Sequence, residues 1–212
     1  MRILVTAMDT LLMRPPNAQR MLTLAHGAGA GMRHPFMEKL AVELASAGVA
    51  TLRYEFPYME QRRNRQDAPP VLHARVAEAA EAARAAAPDL PLLAGGKSFG
   101  GRMTSQAAAE GVLTDVQGIV FFGFPLHPPN RPGTSRADHL ANVTPPMLFL
   151  QGTRDEFAPL DRLRPITASL GAKATLHVID GADHGFHVLK RSGRTDDDVL
   201  RELAQTVASW NF

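Results

Sequence analysis

The sequence feature that most constrains the fold is a serine between two glycine pairs, in the stretch AGGKSFGGR at residues 94–102. Gly96, Ser98 and Gly100 form the pattern G-x-S-x-G, directly after the apolar run PLL and before a run with helical character. On a sharp turn from strand to helix the backbone of the serine is strained, and side chains two residues away would collide with the neighbouring strand and helix. The stretch therefore predicts a turn that raises the hydroxyl above the carboxyl end of a sheet.

The rest of the chain alternates short apolar runs with longer amphipathic ones, which is typical of an α/β fold. Strands are predicted at residues 2–7, 21–25, 49–54, 90–94, 118–122, 147–151 and 174–179. Four of them lack alternation, so we expect them to be buried on both faces. The link between the first two contains Pro15 and Pro16 and is too short for a crossover helix, which makes the first an expected antiparallel edge strand.

Helices are predicted after the second strand, over residues 71–87, directly after Ser98, and at the end of the chain. The first carries apolar residues at four-residue spacing and ends at Gly48. The last is expected to pack on the sheet through Val199, Leu203, Val207 and Trp210. Together these elements predict an α/β fold: a three-layer α/β/α sandwich whose mostly parallel sheet has six to seven strands, in a single domain over residues 1–212.

Composition excludes several classes of function. The 212 residues include no cysteine, which removes disulfides, thiolate metal sites and a cysteine nucleophile. No apolar run is long enough to span a membrane and no signal cleavage site follows the amino terminus, so a cytoplasmic location is expected. The net charge is only +2 and the arginines are scattered, which does not favour a nucleic acid partner. The one cluster, Arg62, Arg63 and Arg65, is interpreted as a solvated loop or as a rim that attracts anionic substrates.

A nucleophilic serine needs a base, and the base needs an acid that orients it. Asp155 follows the run PMLFLQG, and His184 follows the run ATLHVIDG, so each lies just beyond a predicted strand. Carboxyl ends of parallel strands share one edge of a sheet, which predicts that both side chains lie near Ser98. Asp183 and His187 are the alternatives for the acid and the base. We rank them lower because Asp183 is too near His184 to orient its ring easily, and His187 should point into the following segment.

The stretch HGAGAG at residues 26–31 lies between a predicted strand and a predicted helix. Its position matches a loop that donates a backbone N–H to an oxyanion, with Ala28 as the predicted donor and Gly29 as the alternative. The second donor is the N–H of Phe99, next to the serine. His26 is expected to hold the loop. The same glycine pattern also occurs in dinucleotide-binding folds, but the acidic residue such a fold needs is present only as Glu55, in a poor context.

The chain resembles the α/β-hydrolases, and within them the compact branch similar to dienelactone hydrolase. The resemblance is carried by LAHGAGAGMRHPFM, TLRYEFPY, GGKSFGGRM, FGFPLHPP and LFLQGTRDEF, and it extends from about residue 20 to the end. It implies a serine hydrolase with no cofactor and no metal, in which Ser98, Asp155 and His184 form the triad. Dienelactone hydrolases themselves use a cysteine, which is absent here, so their substrate does not carry over. The large cap of lipases is also missing.

The sequence thus predicts an enzyme that hydrolyses a small-molecule acyl substrate, most simply a carboxylic ester. Met32, Tyr54, Phe124 and the proline-rich segment 125–145 are the predicted walls of the substrate pocket. Thioester, peptide or lactone hydrolysis would use the same triad, and a non-catalytic interaction domain on the same fold stays open as an alternative. The residues do not determine the oligomeric state.

Overall fold

The structure is a computed structural model that describes residues 8–212, so the strand predicted at residues 2–7 lies outside the described residues. Seven strands form one sheet in the order β1-β3-β2-β4-β5-β6-β7. Their bounds are β1 Thr10–Met13, β2 Arg20–Ala25, β3 Val49–Tyr54, β4 Leu92–Lys97, β5 Gly118–Phe122, β6 Met147–Gly152 and β7 Ala174–Ile179. All neighbouring pairs are parallel except β1 with β3, which confirms the predicted mostly parallel sheet with an antiparallel edge.

The antiparallel edge strand lies within the segment that the sequence analysis treated as a link. β1 pairs with β3 from Thr10 opposite Tyr54 to Met13 opposite Thr51. A four-residue strand fits before Pro15, and a turn in which the N–H of Ala18 donates to the carbonyl of Pro15 then leads into β2. The prediction of an antiparallel edge is thus correct in kind, but the strand that forms it is Thr10–Met13.

In the described part of the chain six helices flank the sheet: α1 Pro35–Ser46, α2 Pro57–Glu60, α3 Pro69–Ala86, α4 Phe99–Ala109, α5 Leu160–Ser169 and α6 Asp196–Ser209. Short 3₁₀ helices lie at Ser135–Asn142, Gly171–Lys173 and Lys190–Ser192. The short helix α2 and the helix α5 were not predicted. Pro165 lies in the interior of α5, although a proline more often marks the end of a helix.

The two faces of the sheet are covered by different helices. Successive side chains of β2 show this, because Met21 packs in the cluster with α3 and α4, whereas Leu22 packs in the cluster with α1 and α6. A third cluster joins β5 and β6 to α5 and to the 3₁₀ helix Ser135–Asn142. The predicted contacts of the last helix are present, through Val199, Leu203, Val207 and Trp210. These layers form the predicted α/β/α sandwich.

Because the central strands are buried on both faces, their polar residues can reach water or a ligand only at the strand ends. Strands β3, β5 and β6 are buried at every residue, and β2 at all but its first. The loops after β2, β4, β6 and β7 all lie at the carboxyl edge of the sheet. Within the residues that the structure describes, no helix is both long enough and apolar enough to cross a membrane.

Candidate active site

Ser98 occupies the turn between β4 and α4. Its backbone has φ of 50° and ψ of −110°, a conformation that residues other than glycine rarely adopt. Its N–H donates to the carbonyl of Phe122 on β5 at 3.1 Å, and its own carbonyl accepts the N–H of Arg102 at 3.1 Å. The turn is therefore fixed by the sheet on one side and by the helix on the other. A backbone strained by about 1–3 kcal/mol persists only where the surrounding structure imposes it.

Two glycines let β4 and α4 approach the neighbouring strand at this turn. A Cβ atom at Gly96 would lie 2.6 Å from the carbonyl oxygen of Ala25, and one at Gly100 would lie 2.6 Å from that of His26. Both distances are too short for a carbon and an oxygen that are not bonded. The glycines on either side of Ser98 are thus required by backbone contacts with the end of β2, as the sequence analysis predicts.

The structure brings Ser98, His184 and Asp155 together in a line of hydrogen bonds. The Nε2 atom of His184 lies 2.9 Å from the Oγ atom of Ser98, and its Nδ1 atom lies 2.7 Å from the Oδ2 atom of Asp155. Asp155 follows β6 and His184 follows β7, so neighbouring strand ends supply the two side chains. The ring of Phe157 contacts the imidazole edge to face, with the ring centroids 4.6 Å apart. The imidazole is therefore held from three sides.

The carboxylate of Asp155 is buried and has protein donors besides the imidazole. The side-chain amide of Gln151 donates to Oδ2, and the N–H of Phe157 donates to Oδ1 at 2.9 Å. Gln151 is itself fully buried, and its Oε1 atom accepts the N–H of Phe124 at 3.0 Å. Gln151 is not among the residues predicted from the sequence. The available signal was a polar residue at the end of an apolar strand, four positions before the predicted acid.

The hydrogen bonds determine which nitrogen of His184 carries the proton. Since a carboxylate can only accept, the Nδ1 atom carries the hydrogen and Nε2 is left to accept the hydroxyl of Ser98. Burial lowers the pKa of His184 from its ordinary value of 6.5, and the positive charge of Lys97 acts in the same direction, whereas the hydrogen bond to Asp155 acts against them. The imidazole is thus neutral at pH 7, as a general base requires.

Lys97, the residue before the serine, holds the loop that carries the histidine. Its Nζ atom donates to the carbonyl oxygen of His184 at 2.6 Å. The ammonium also lies over the rings of Phe36 and Phe186, at 5.9 and 5.4 Å from their centroids. Burial lowers the pKa of Lys97 to about 8, with the charges of Asp155 and Asp183 acting against that shift.

The two predicted oxyanion donors, Ala28 and Phe99, line the same cavity as Ser98. Within residues 8–212, no acceptor for the N–H groups of Ala28 and Phe99 is present. The N–H of Gly29, the alternative donor, instead donates to the hydroxyl of Tyr58 at 3.3 Å. This geometry favours Ala28 over Gly29. His26 is fully buried beneath the loop and accepts the N–H of Phe56 at 3.2 Å, in keeping with a structural role.

The alternative acid and base have other partners. The Oδ1 atom of Asp183 accepts the N–H groups of Gly185 and His187 at 2.8 and 3.0 Å, so it stabilises the loop in which His184 lies. The Nδ1 atom of His187 lies 2.7 Å from the Oδ2 atom of Asp196, at the start of α6. Neither side chain takes part in the line of hydrogen bonds that runs from Ser98 through His184 to Asp155. The geometry therefore favours Asp155 as the acid and His184 as the base.

A cavity of about 630 Å³ opens directly above the serine. Ser98, Ala28, Phe99 and His184 all contribute to its wall. Its other lining residues are Gly27, Ala30, His34, Pro35, Phe36, Met37, Lys39, Gln66, Lys97, Arg102, Pro125, Pro129, Arg136, Phe157, Gly185, Phe186, His187, Asp196 and Leu200. The segment 125–145 thus contributes to the cavity wall through two prolines and an arginine.

The individual pocket residues predicted from the sequence do not line this cavity. Met32, Tyr54 and Phe124 are buried in the protein core. The backbone of Met32 forms hydrogen bonds with the side chains of Glu55 and Arg53. Tyr54 packs edge to face on Phe56. Phe124 packs between aromatic rings of β5 and β6. Their prediction as pocket walls is corrected, because each of these side chains packs in the core and does not face the cavity.

The arginine cluster after α2 also lies apart from the cavity wall. Arg62, Arg63 and Arg65 are exposed, and Arg63 is paired with Asp67 at 2.6 Å. Within residues 8–212, no group of three or more histidine, aspartate or glutamate side chains has the arrangement of a metal site.

A family model described as an alpha/beta hydrolase domain matches residues 18–211. The structure is similar to that of a dienelactone hydrolase from Anabaena variabilis, with a TM-score of 0.74, 24% sequence identity and coverage of 99% of this chain and 93% of that one. It is also similar to the protein XC6422 from Xanthomonas campestris, described as an α/β serine hydrolase without lid, with a TM-score of 0.70, 23% identity and coverage of 96% and 89%.

Among curated proteins, the chain is similar to one from Mycobacterium tuberculosis that carries the provisional name of phosphoribosyl transferase. The two are 27% identical over 201 residues, which is 92% of this chain. The chain spans only 41% of the length of that relative.

Proposed function

The chain belongs to the alpha/beta hydrolase domain family, and on that premise we propose that it is a serine hydrolase that cleaves a small carboxylic ester through Ser98, His184 and Asp155. The observation that carries the proposal is the continuous line of hydrogen bonds from the Asp155 carboxylate through the neutral imidazole to the Ser98 hydroxyl, at 2.7 and 2.9 Å. That line ends in a cavity large enough for a small ligand.

In the proposed mechanism, Nε2 of His184 takes the hydroxyl proton while the Oγ atom of Ser98 attacks the acyl carbonyl. The negative charge that develops on the carbonyl oxygen is stabilised by the N–H groups of Ala28 and Phe99, the second of which lies at the amino end of α4. His184 then gives the proton to the leaving alcohol. Water, deprotonated by the same nitrogen, attacks the acyl-serine and releases the acid and the free enzyme.

The other functions raised by the sequence have less support in the geometry. Glu55, which a dinucleotide site would need for the ribose, accepts the N–H of Met32 at 2.9 Å and lies 3.1 Å from His26. A non-catalytic domain would have no need to keep a strained serine in line with a histidine and a buried acid. Thioester, lactone or peptide hydrolysis would use the same residues, and the cavity walls select among these substrates.

The test is covalent labelling by a fluorophosphonate, a probe that reacts with activated serines, read out by intact mass. We expect one adduct on the wild type and none on Ser98→Ala. Ser105→Ala is the matched control, because the Oγ atom of Ser105 also lies close to a histidine, at 2.7 Å from His139, but without an acid behind it. That variant should label as the wild type does.

Ester hydrolysis should follow the labelling, with kcat reduced by about 10³-fold or more in Ser98→Ala and in His184→Ala. An adduct that persists on Ser98→Ala, or no adduct on a folded wild type, would refute the proposed nucleophile. Circular dichroism of each variant checks that it is folded.

A further inference from the structure

Two arginine side chains in the cavity wall have no acidic partner among residues 8–212. Arg102 lies one helical turn after Ser98 on α4, and its guanidinium lies over the ring of Phe99, 5.7 Å from the centroid. Arg136 lies in the 3₁₀ helix Ser135–Asn142, and the only hydrogen bond of its side chain to a described residue runs from Nη1 to the carbonyl of His127 at 2.9 Å. Among residues 8–212, neither guanidinium forms an ion pair, and the buried Nε atom of Arg102 has no acceptor.

Both side chains are half-buried, so part of their hydration is lost, and no ion pair within residues 8–212 replaces it. Guanidinium groups removed from water are normally paired with carboxylate or phosphate, because their donors otherwise lose hydrogen bonds to water. Burial lowers the pKa of Arg102 to about 10, and the positive charge of Arg136 adds to that shift. Burial also lowers the pKa of Arg136. The lowered pKa values are in keeping with the partial burial of two positive charges that both side chains still carry at pH 7.

The charge of the cavity wall is positive overall. Lys39 and Lys97 line it together with the two arginines, and Asp196 is the one carboxylate among the lining residues. The Oδ2 atom of Asp196 lies 2.7 Å from the Nδ1 atom of His187, and its Oδ1 atom accepts the N–H of Val188, so it is already engaged at the start of α6. An anion in this cavity would find hydrogen-bond donors that have no acceptor, and few negative charges would repel it.

We propose that Arg102 and Arg136 form a subsite for an anionic group of the substrate, a carboxylate or a phosphate, and that the enzyme therefore acts on acyl esters that carry a negative charge. The proposal rests on the proposed function for its catalytic part. Because Arg102 is one turn from Ser98, with a rise of about 5.4 Å per turn, the anion would bind within a few bonds of the scissile carbonyl. The exposed cluster of Arg62, Arg63 and Arg65 is not needed for it.

A pair of esters of equal length tests the preference on the wild type. The mono-p-nitrophenyl ester of glutaric acid carries a carboxylate at the end of its acyl chain, and p-nitrophenyl valerate is its neutral counterpart. We expect kcat/KM to be at least about tenfold higher for the anionic ester after subtraction of the enzyme-free rate, and the ratio to fall as salt is added. Equal values, or a preference for valerate, would overturn the proposal.

Variants locate the preference in the two side chains. Arg102→Gln and Arg136→Gln should each reduce kcat/KM for the glutarate ester much more than for the valerate ester. Arg164→Gln, a change at an exposed arginine of α5 outside the cavity wall, is the matched control and should keep the wild-type ratio. The two substitutions lie on different elements, so a folding defect in one leaves the other as a test. An unchanged ratio in both would overturn the assignment.

Binding separates this proposal from the proposed function. Glutarate and inorganic phosphate are titrated into Ser98→Ala by calorimetry, where no turnover is needed. Binding of either anion that is weakened by Arg102→Gln supports the subsite and identifies the preferred anion, even if fluorophosphonate labelling fails. If labelling succeeds but neither anion binds and the ester ratio is near one, the hydrolase proposal stands and the anionic subsite falls.

Discussion

At the scale of single residues, Lys97 affects the proposed base in two ways. Its hydrogen bond to the carbonyl of His184 fixes the loop, and its positive charge lowers the pKa of the imidazole. A neutral side chain of similar length would remove both effects. Since a nearby cation disfavours imidazolium, its removal raises the pKa of His184.

We therefore predict that Lys97→Met shifts the acid limb of kcat/KM to higher pH. In the wild type we expect that limb below pH 6.5, because burial lowers the pKa of His184 from that value. The variant should lose most activity at mildly acidic pH and less at neutral pH, measured as kcat/KM for a neutral ester between about pH 4 and 9. Lys39→Met is the control, because Lys39 also lines the cavity but is exposed and pairs with Asp197. A limb that stays in place or moves to lower pH would contradict the assignment.

At the scale of elements, the junction of β2, β4 and α4 sets the position of the nucleophile. We predict that Gly100→Ala destabilises the protein by about 2 kcal/mol or more, since its Cβ atom would meet the backbone oxygens of Ala25 and His26 at 2.7 and 2.6 Å. Backbone cannot rotate away as a side chain can, so the helix must shift. The same movement would displace Ser98 and lower kcat.

Gly133→Ala is the matched control for that substitution. Gly133 has no atom within 4 Å of its would-be Cβ and lies in the segment between β5 and β6. The midpoint of thermal unfolding and the activity of Gly133→Ala should match those of the wild type. If Gly100→Ala melted at the wild-type temperature with full activity, the close approach described here would be wrong.

Sequence predicts those elements whose pattern is local. The buried strands β2, β3, β5 and β6 are visible as short apolar runs because both faces of each lie in the core. Helix α5 was missed because Pro165 disrupts the pattern and only Leu163 and Thr167 are buried, which leaves little amphipathic signal. The edge strand Thr10–Met13 cannot be predicted from its local pattern, because its pairing with β3 depends on a distant segment.

The same distinction applies to the site. Ser98, Asp155 and His184 could be proposed together because each follows a strand, and parallel strands end at one edge of the sheet. Gln151, Arg102 and Arg136 could not, since their contacts depend on how side chains of separate elements turn. The predicted pocket walls failed for that reason as well. An apolar residue at a strand end faces either the core or the cavity, and only packing decides which.

At the scale of the whole molecule, several carboxylates contribute stability that depends on pH. Burial acts to raise the pKa of Glu55 and Glu202, but both pKa values are lowered overall. The N–H of Met32 donates to Glu55, and His177 and Arg194 donate to Glu202. At the start of α6, the backbone and side chain of Thr195 lower the pKa of Asp198 to about 2. A carboxyl group whose pKa is lower in the folded than in the unfolded state stabilises the fold above its unfolded pKa.

We predict that the free energy of unfolding falls as the pH drops from about 5 towards 2, in the range between the ordinary and the lowered pKa values of these carboxylates. Asp198→Asn tests the part that belongs to α6, because it removes the carboxylate of the capping box formed with Thr195. The variant should have a lower melting temperature than the wild type at pH 7. The difference between the two melting temperatures should decrease as the wild-type carboxyl group becomes protonated towards pH 2. Asp161→Asn, at the start of α5, is the control for removing an exposed negative charge from the first turn of a helix. A gap that stays constant from pH 7 to 2 would mean that the charge of Asp198 does not stabilise α6.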